Sequence, residues 1–269
     1  MNIVVCIKHV MKRKAPGSQP CPRPGIMNPG DRAALRAAVH LAGNAGEVTA
    51  LTMGPPGAED TLREALALGA RRAVLVCDAR CAESDTLATS YVLGCAVKKL
   101  GNADVVICGT RTIDSDTGHV GPQLSELLDI PLLPYMQSCS AGKGTVRGVS
   151  RCDGIVQEIE ADCPCLITVD ECGERVYPPL GKLGRVFTEG VVERWDADMI
   201  GADTSRTGRD GSPTWVRSVK HPERKRAAVI LHDKPGGDVI GELLALLKER
   251  DIMLRARVRS DRGYGGYDA

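Results

Sequence analysis

Short apolar runs alternate with stretches of helical periodicity along the first half of the chain. Ile3-Val4-Val5-Cys6-Ile7 is apolar throughout and rich in β-branched residues, the pattern of a buried parallel strand. Val48 to Met53, Arg72 to Cys77 and Val105 to Cys108 predict three more strands. Between them the spacing predicts four helices. Asp31 caps the first, which runs to about Leu41 with Ala33, Ala34, Ala37, Ala38 and Leu41 on one face. The second spans Ala58 to Leu68 and is stopped by Gly69. Asp85 caps the third, Thr86 to about Leu100, and the fourth runs from Thr117 to Leu128, ahead of Pro131. Met11 to Ile26, basic and then rich in Pro and Gly, is a predicted loop. Strict alternation of strand and helix means an α/β fold in three layers, a mainly parallel sheet wound by right-handed crossovers.

The texture changes near Leu132. Gly144 to Val149, Gly154 to Ile159 and Cys165 to Asp170 are short β-like pieces that extend the sheet, some antiparallel, with turns at Ala141 to Gly144 and Cys152 to Gly154. Glu171 to Gly211 is charged and weakly periodic, the pattern of an extended arm. Ser212-Pro213-Thr214 is a turn and Ala227 to Leu231 a short strand candidate. Gly237 to Arg250 is an amphipathic helix with Val239, Ile240, Leu243, Leu244 and Leu247 on one face, and a basic, Gly-rich tail follows from Arg255. The expected organisation is a core over residues 1–170, an extended arm over 171–236, and a helix with tail over 237–269.

Composition narrows the classes. With 269 residues, 43% hydrophobic and 26% charged, the chain has the makeup of a globular protein with a real core. Its 35 basic and 34 acidic residues nearly cancel, and aromatics are 3%; both argue against a nucleic-acid partner. No run approaches a membrane span, and the first apolar run is too short for a secretory segment. Eleven scattered cysteines, an odd number, fit reduced thiols and a cytoplasmic location. Cys77-x3-Cys81 and Cys163-Pro-Cys165 lack a matching second pair, so no metal site is expected.

Ligands of open parallel sheets bind beyond the carboxyl ends of the strands. The loops there carry Lys8-His9, then Asn28-Pro29-Gly30-Asp31, then Gly54-Pro55-Pro56-Gly57, and then Gly109-Thr110-Arg111-Thr112-Ile113-Asp114-Ser115-Asp116-Thr117-Gly118-His119-Val120-Gly121-Pro122. The last places hydroxyls and glycines where a helix begins, and free N–H groups at a helix start attract phosphate. The expected fold is therefore a nucleotide-binding one. Asp114 and Asp116 oppose an anion, so they point away, cap the helix or bind ribose hydroxyls; alternatively, Asp116 only caps and the glycines only turn the chain. The chain has neither a Gly-x-Gly-x-x-Gly after the first strand nor a phosphate-loop lysine. An ATP-using ligase or hydrolase and a nucleotide-sensing scaffold remain open as other classes; the missing lysine counts against the former.

At these residues the chain resembles the beta subunit of electron transfer flavoprotein. The resemblance is carried by ordered blocks: Ile3 to Lys8, Asn28-Pro29-x-Asp31, Met53-Gly54-Pro55, Ala65-Leu66-Ala67-Leu68-Gly69-Ala70, Asp85-Thr86-Leu87-Ala88-Thr89-Ser90, Ile113 to Pro122, Arg151 to Thr168 and Gly211-Ser212-Pro213-Thr214. It implies a heterodimer with an alpha subunit that carries FAD and passes electrons between dehydrogenases, of acyl-CoA dehydrogenase type, and an acceptor. It also implies a pocket in this chain for AMP or, in the electron-bifurcating branch, for a second FAD beside an NADH site. Asp85 to Ser90 and Asp116 to Pro122 resemble the bifurcating branch, which makes FAD the first expectation and AMP the alternative. After the first strand, Val10-Met11-Lys12-Arg13 stands where that branch has a Val-Pro-Asp-Thr run.

Carried over by the resemblance, the cofactor-binding residues are Cys6, Lys8, Asn28, Pro29, Gly30, Asp31, Met53, Asp85, Thr86, Thr89, Ser90, and Gly109, Thr110, Arg111, Thr112, Ile113, Asp114, Ser115, Asp116, Thr117, Gly118, His119 and Val120. No side chain is assigned a catalytic role, because a flavin performs its own redox chemistry. Tyr177-Pro178-Pro179-Leu180 resembles the family's recognition loop, with Leu180 as the anchor in a partner dehydrogenase.

Overall fold

The structure, a computed structural model, describes residues 1–11, 25–170, 177–218, 230–231 and 238–250. Most of the predicted loop at 11–26, most of the strand candidate at 227–231 and the tail from 255 lie outside these residues. The chain forms two units, 1–217 and 218–269.

In the first unit the predicted alternation is present. Strand β1 (Asn2–Cys6) leads into a two-stranded ribbon of β2 (His9–Val10) and β3 (Ile26–Met27). Helix α1 (Pro29–Ala42), β4 (Glu47–Met53), α2 (Glu59–Leu68), β5 (Arg72–Val76), α3 (Thr86–Leu100), β6 (Val105–Gly109) and α4 (Val120–Leu128) follow. Then come β7 (Leu132–Ala141), β8 (Thr145–Cys152), β9 (Ile155–Asp162), β10 (Cys165–Val169), α5 (Leu180–Glu189) and β11 (Glu193–Trp195). Nine strands make one sheet in the order β11-β5-β4-β1-β6-β10-β7-β8-β9. Pairing is parallel from β11 to β7 and antiparallel through β7, β8 and β9.

The two-residue period of β1 divides the core. Ile3 and Val5 face α1 and α2, where Ala34, Leu35, Ala38, Leu62 and Ala65 are buried. Val4 and Cys6 face α3 and α4, where Val92, Leu93, Ala96, Val97 and Leu124 are buried. The alanines of α1 let it lie close to the sheet, and Gly121 does the same for α4. A Cβ at Gly121 would sit 2.5 Å from Thr168 Cγ2.

Four elements differ from the sequence reading. α1 begins at Pro29 with Asn28 at the cap position, so Asp31 lies within its first turn and does not cap it. β7 is a full ten-residue strand, hidden in the sequence by Pro134 and by an irregularity: Tyr135 takes φ +54° and the register with β8 shifts between Met136 and Ser138. The segment read as an extended arm contains α5, and its β11 pairs in parallel with β5 at the sheet edge. β11 escapes periodicity because it is short and two of its three residues are ionic. Arg72 binds Glu193 through two hydrogen bonds, and Arg194 pairs with Glu59. Trp195 is buried between Arg72 and Lys99. Finally, α4 starts at Val120 and not at Thr117, since Gly118 has φ +68° and cannot be helical.

The described part of the second unit includes α6 (Val239–Glu249), in place of the predicted 237–250 helix. Asp238 caps it by accepting from the Gly241 N–H at 2.8 Å, and none of its residues is buried.

Candidate functional site

Chain order places β4 on one side of β1 and β6 on the other, so the crevice between successive strands opens at the carboxyl ends of β1 and β6. Cys6 of β1 stands in register with Cys108 of β6. Both thiols are buried beneath the opening, and hydrogen bonding to Cys6 together with burial holds the Cys108 thiol well above the ordinary range. They form the floor of the crevice.

Asn28 ties the two rims together. It is fully buried immediately before α1, and both ends of its amide are used. Nδ2 donates to the Arg111 carbonyl at 2.9 Å, and Oδ1 accepts from the Ile113 N–H at 3.1 Å. Its own N–H donates to the Lys8 carbonyl. Pro29 opens α1, and Gly30 lets the helix approach the loop, since a Cβ there would meet the Arg111 carbonyl at 3.2 Å. Asp31 is 4% exposed and accepts the Lys8 N–H at 2.7 Å, along with hydrogen bonds from the Gly109 N–H and the Asn28 side chain. Burial pushes its carboxyl up to about 7 against those bonds and the charge of Lys8. Gly109 is required beside it, because a Cβ would lie 2.3 Å from Asp31 Oδ1.

The loop from Thr110 to His119 forms the mouth. Thr110 donates its N–H to Val169 and is buried, yet its hydroxyl has no hydrogen-bond partner. Thr112 and Ser115 hydroxyls bond each other at 3.0 Å, and Ile113 is exposed. Asp114 is pulled aside by Lys8, Nζ to Oδ2 2.7 Å. Burial works to raise the Asp114 carboxyl, but hydrogen bonds from Lys8 and Thr112 hold it below its ordinary value. Asp116, at φ +54°, points to Arg111 at 3.6 Å and does not cap α4. His119 occupies the cap position without a side-chain bond. Among the described residues nothing accepts from the N–H groups of Gly118, His119, Val120 or Gly121, and Pro122 has none to offer. A Cβ at Gly118 would meet the Thr110 carbonyl at 3.4 Å and Arg111 Cγ at 3.7 Å, so the amide-bearing turn folds back on the start of its own loop. Thr117 is exposed between the two turns.

The structure thus gathers Cys6, Lys8, Asn28 to Asp31 and Gly109 to Val120. Met53 ends β4 on the neighbouring strand, half-buried against the α3 side of the core. The Asp85 to Ser90 block opens α3, and its Ser90 Oγ lies 3.4 Å from the Val120 carbonyl at the α4 start. Asp85 caps α3 through the Leu87 and Ala88 N–H groups at 2.9 and 3.1 Å and also accepts from Thr214 N–H and Oγ1. Ser90 is buried, donating to the Thr86 carbonyl and lying 3.1 Å from Gln123 Oε1 on α4. Thr86 and Thr89 are half-buried on the same helix. The docking of Ser212 and Thr214 on Asp85 was not assigned from sequence, although the Gly-Ser-Pro-Thr block was its visible signal.

A model of the electron transfer flavoprotein domain matches residues 22–198. "Protein FixA" of Sinorhizobium fredii is 36% identical, with 97% of this chain and 99% of that protein covered. "Protein FixA" of Azorhizobium caulinodans is 40% identical over 87% of this chain and 89% of that one. "Electron transfer flavoprotein subunit beta" of Clostridium acetobutylicum is 35% identical over 93% and 98%. The chain belongs to the electron transfer flavoprotein beta-subunit family. That family implies an alpha-subunit partner. Among the described residues no helix is long and apolar enough to cross a membrane.

Leu180 stands apart from the mouth. It is the first residue of α5 and 86% exposed, with Tyr177 also exposed just before it. The far end of α5 is fastened: Arg63 of α2 donates to the carbonyls of Val186 and Gly190 at 2.8 and 2.7 Å and lies over the Phe187 ring. Arg63 thus covers carbonyls at the carboxyl end of α5, while Leu180 at the amino end is exposed.

Proposed function

We propose that this chain is the beta subunit of a heterodimeric electron transfer flavoprotein, that its mouth binds FAD, and that the complex passes electrons between NADH or a dehydrogenase and an acceptor by flavin-based bifurcation. The observation that carries the reading is the mouth itself: four unpartnered amides at the α4 start, on the loop that also bears the orphaned Thr110 hydroxyl. Unpaired N–H groups at a helix start, with the partial positive charge of the helix behind them, suit the phosphate of an adenosine nucleotide. Gly118 leaves room for close approach. Asn28 holds the loop, Lys8 turns Asp114 away from the anion, and the thiol floor excludes water. Bound there, FAD would supply one- and two-electron chemistry. The protein's part is to bind, orient and shield it.

Leu180 supports docking on an acyl-CoA dehydrogenase-type partner, as an exposed apolar anchor on a fastened helix. A second reading, AMP alone in the mouth, is favoured by Val10-Met11-Lys12-Arg13 in place of the bifurcating branch's Val-Pro-Asp-Thr run. Co-purifying the chain with its alpha subunit, denaturing the complex and counting what is released decides between them. Two flavins per heterodimer are expected; one flavin and one AMP select the second reading. A stable complex that releases no flavin would remove both. A cytoplasmic location belongs to the same proposal.

A further inference from the structure

The end of α1 nearest the crevice is where an open α/β sheet most often receives a phosphate, yet here that place is filled from within. Asp31, in the first turn of α1, lays its buried carboxylate across the ends of β1 and β6 and takes the N–H groups of both Lys8 and Gly109. These are donors that a ligand phosphate would otherwise use. The fit is close on every side. A Cβ at Gly109 would strike Asp31 Oδ1, the Gly30 carbonyl carbon and the Asp31 nitrogen within 3 Å. Asn28, one turn earlier, reaches the same loop through Arg111 and Ile113. The carboxylate therefore has no oxygen directed to a ligand, and the loop that bears Thr110 leaves β6 from a point it holds.

We infer that Asp31 is a positioning residue, a built-in hydrogen-bond acceptor that clasps the ends of β1 and β6 and sets the Gly109–Ile113 loop, so that a nucleotide phosphate is received at the α4 start and not at α1. The inference rests on the nucleotide-binding reading above. It changes the role of Asp31 from a cofactor contact to a residue acting through the loop.

The groups facing Asp31 separate cleanly. The Cys108 thiol stays protonated, the Lys8 ammonium is paired with Asp114, and Asp114 is ionised across the neutral range. His9, next along the chain, is held by burial below its ordinary value and bonds to Thr61. Near pH 7 the titrating member of this group is Asp31.

Two measurements on the full chain, co-purified with its alpha subunit, test the clasp. First, the amide resonances of Lys8 and Gly109 are followed from pH 5.5 to 8.5 in the wild type. They should shift together with one midpoint, and in Asp31→Asn that shared step should vanish. Independent or absent titration overturns the clasp whatever the protein binds. Second, AMP affinity at pH 8 is compared for wild type, Asp31→Ala, Asp31→Asn and Asp114→Asn. Asp31→Ala should weaken AMP about tenfold and speed hydrogen exchange at Lys8, Gly109 and Ile113. Asp31→Asn, which keeps the shape and one acceptor, should recover most of both. Asp114→Asn should leave exchange at Lys8 and Gly109 unchanged. If AMP affinity in Asp31→Ala stays within twofold of the wild type, the carboxylate does not position the site. If the wild type binds neither AMP nor FAD, the nucleotide reading falls, while the shared titration still decides whether the clasp exists. Should Asp31→Ala fail to fold, Asp31→Asn and the wild-type titration carry the test alone.

Discussion

Gly109 shows how one missing methyl group holds a site together. Its absent side chain is the space that the Asp31 carboxylate occupies, with the Gly30 backbone close behind. Gly109→Ala has no flexible neighbour to displace, since the atoms it meets are backbone and a tied carboxylate. Overpacking of this kind costs about 1–3 kcal/mol. The variant should unfold at lower urea concentration with an unchanged slope, and it should lose nucleotide at the mouth before it loses the fold. Thr110 makes the complementary point: its hydroxyl has no partner although the residue is buried. Both residues were visible in the sequence as parts of one loop. What could not be seen there was that Gly109 faces inward to Asp31 while Gly118 turns the chain, because the choice depends on backbone angles imposed by contacts 80 residues apart.

Helix ends carry the argument at the scale of elements. Asp85 was recognised from sequence as the cap of α3, and it is. The same carboxylate also takes two hydrogen bonds from Thr214, which joins a distant segment to the helix start. Burial works to raise its carboxyl, yet the hydrogen bonds from Ala88, Thr214 and Leu87 keep it below the ordinary value. Asp85→Ala should therefore cost more than the roughly 1 kcal/mol of a simple cap, and Thr214→Val should recover part of that deficit in a double-mutant cycle, read by urea denaturation. At α4 the sequence reading was three residues early, since glycine and aspartate in left-handed conformations postpone the helix. For α5 the sequence offered only Leu180. The helix depends on Arg63, a residue more than a hundred positions away, to cover its last carbonyls. Leu180→Ala should slow electron transfer with the partner dehydrogenase while leaving the cofactor content of the complex unchanged. A fall in cofactor content would assign Leu180 to folding.

Over the whole molecule, opposing carboxylates shape the response to pH. Asp31 is raised from an ordinary value near 3.8 to about 7 by burial. Between those values the folded chain retains a proton that the unfolded chain gives up, so this residue lowers stability as pH rises from about 4 to about 7. Asp78 has the opposite sign. Hydrogen bonds from the Arg80 side chain lead, with the N–H groups of Ala197 and Arg80 behind them, and they hold its carboxyl well below the usual range. Its stabilisation is present above pH 4 and is lost on acidification. Urea midpoints at pH 5 and pH 8 should show Asp31→Asn gaining on the wild type at the higher pH. Equal differences at the two pH values would contradict the buried charge.

The alternation of strands and helices, the burial of β1 as a parallel strand and the capped start of α3 followed from the sequence alone. Periodicity and caps act over a few residues, and the side chains that enforce them are neighbours in the chain. The sequence also placed the chemistry on the loops after β1 and β6. Tertiary structure alone decided the rest. β11 became an edge strand because its charges found partners on β5 and α2. The crevice formed because crossovers put β4 and β6 on opposite sides of β1. The helix start with free amides is that of α4, while the first turn of α1 holds the buried Asp31 carboxyl. Each of these outcomes depends on two surfaces meeting across the fold, and the spacing of residues along one segment does not specify what that segment will meet.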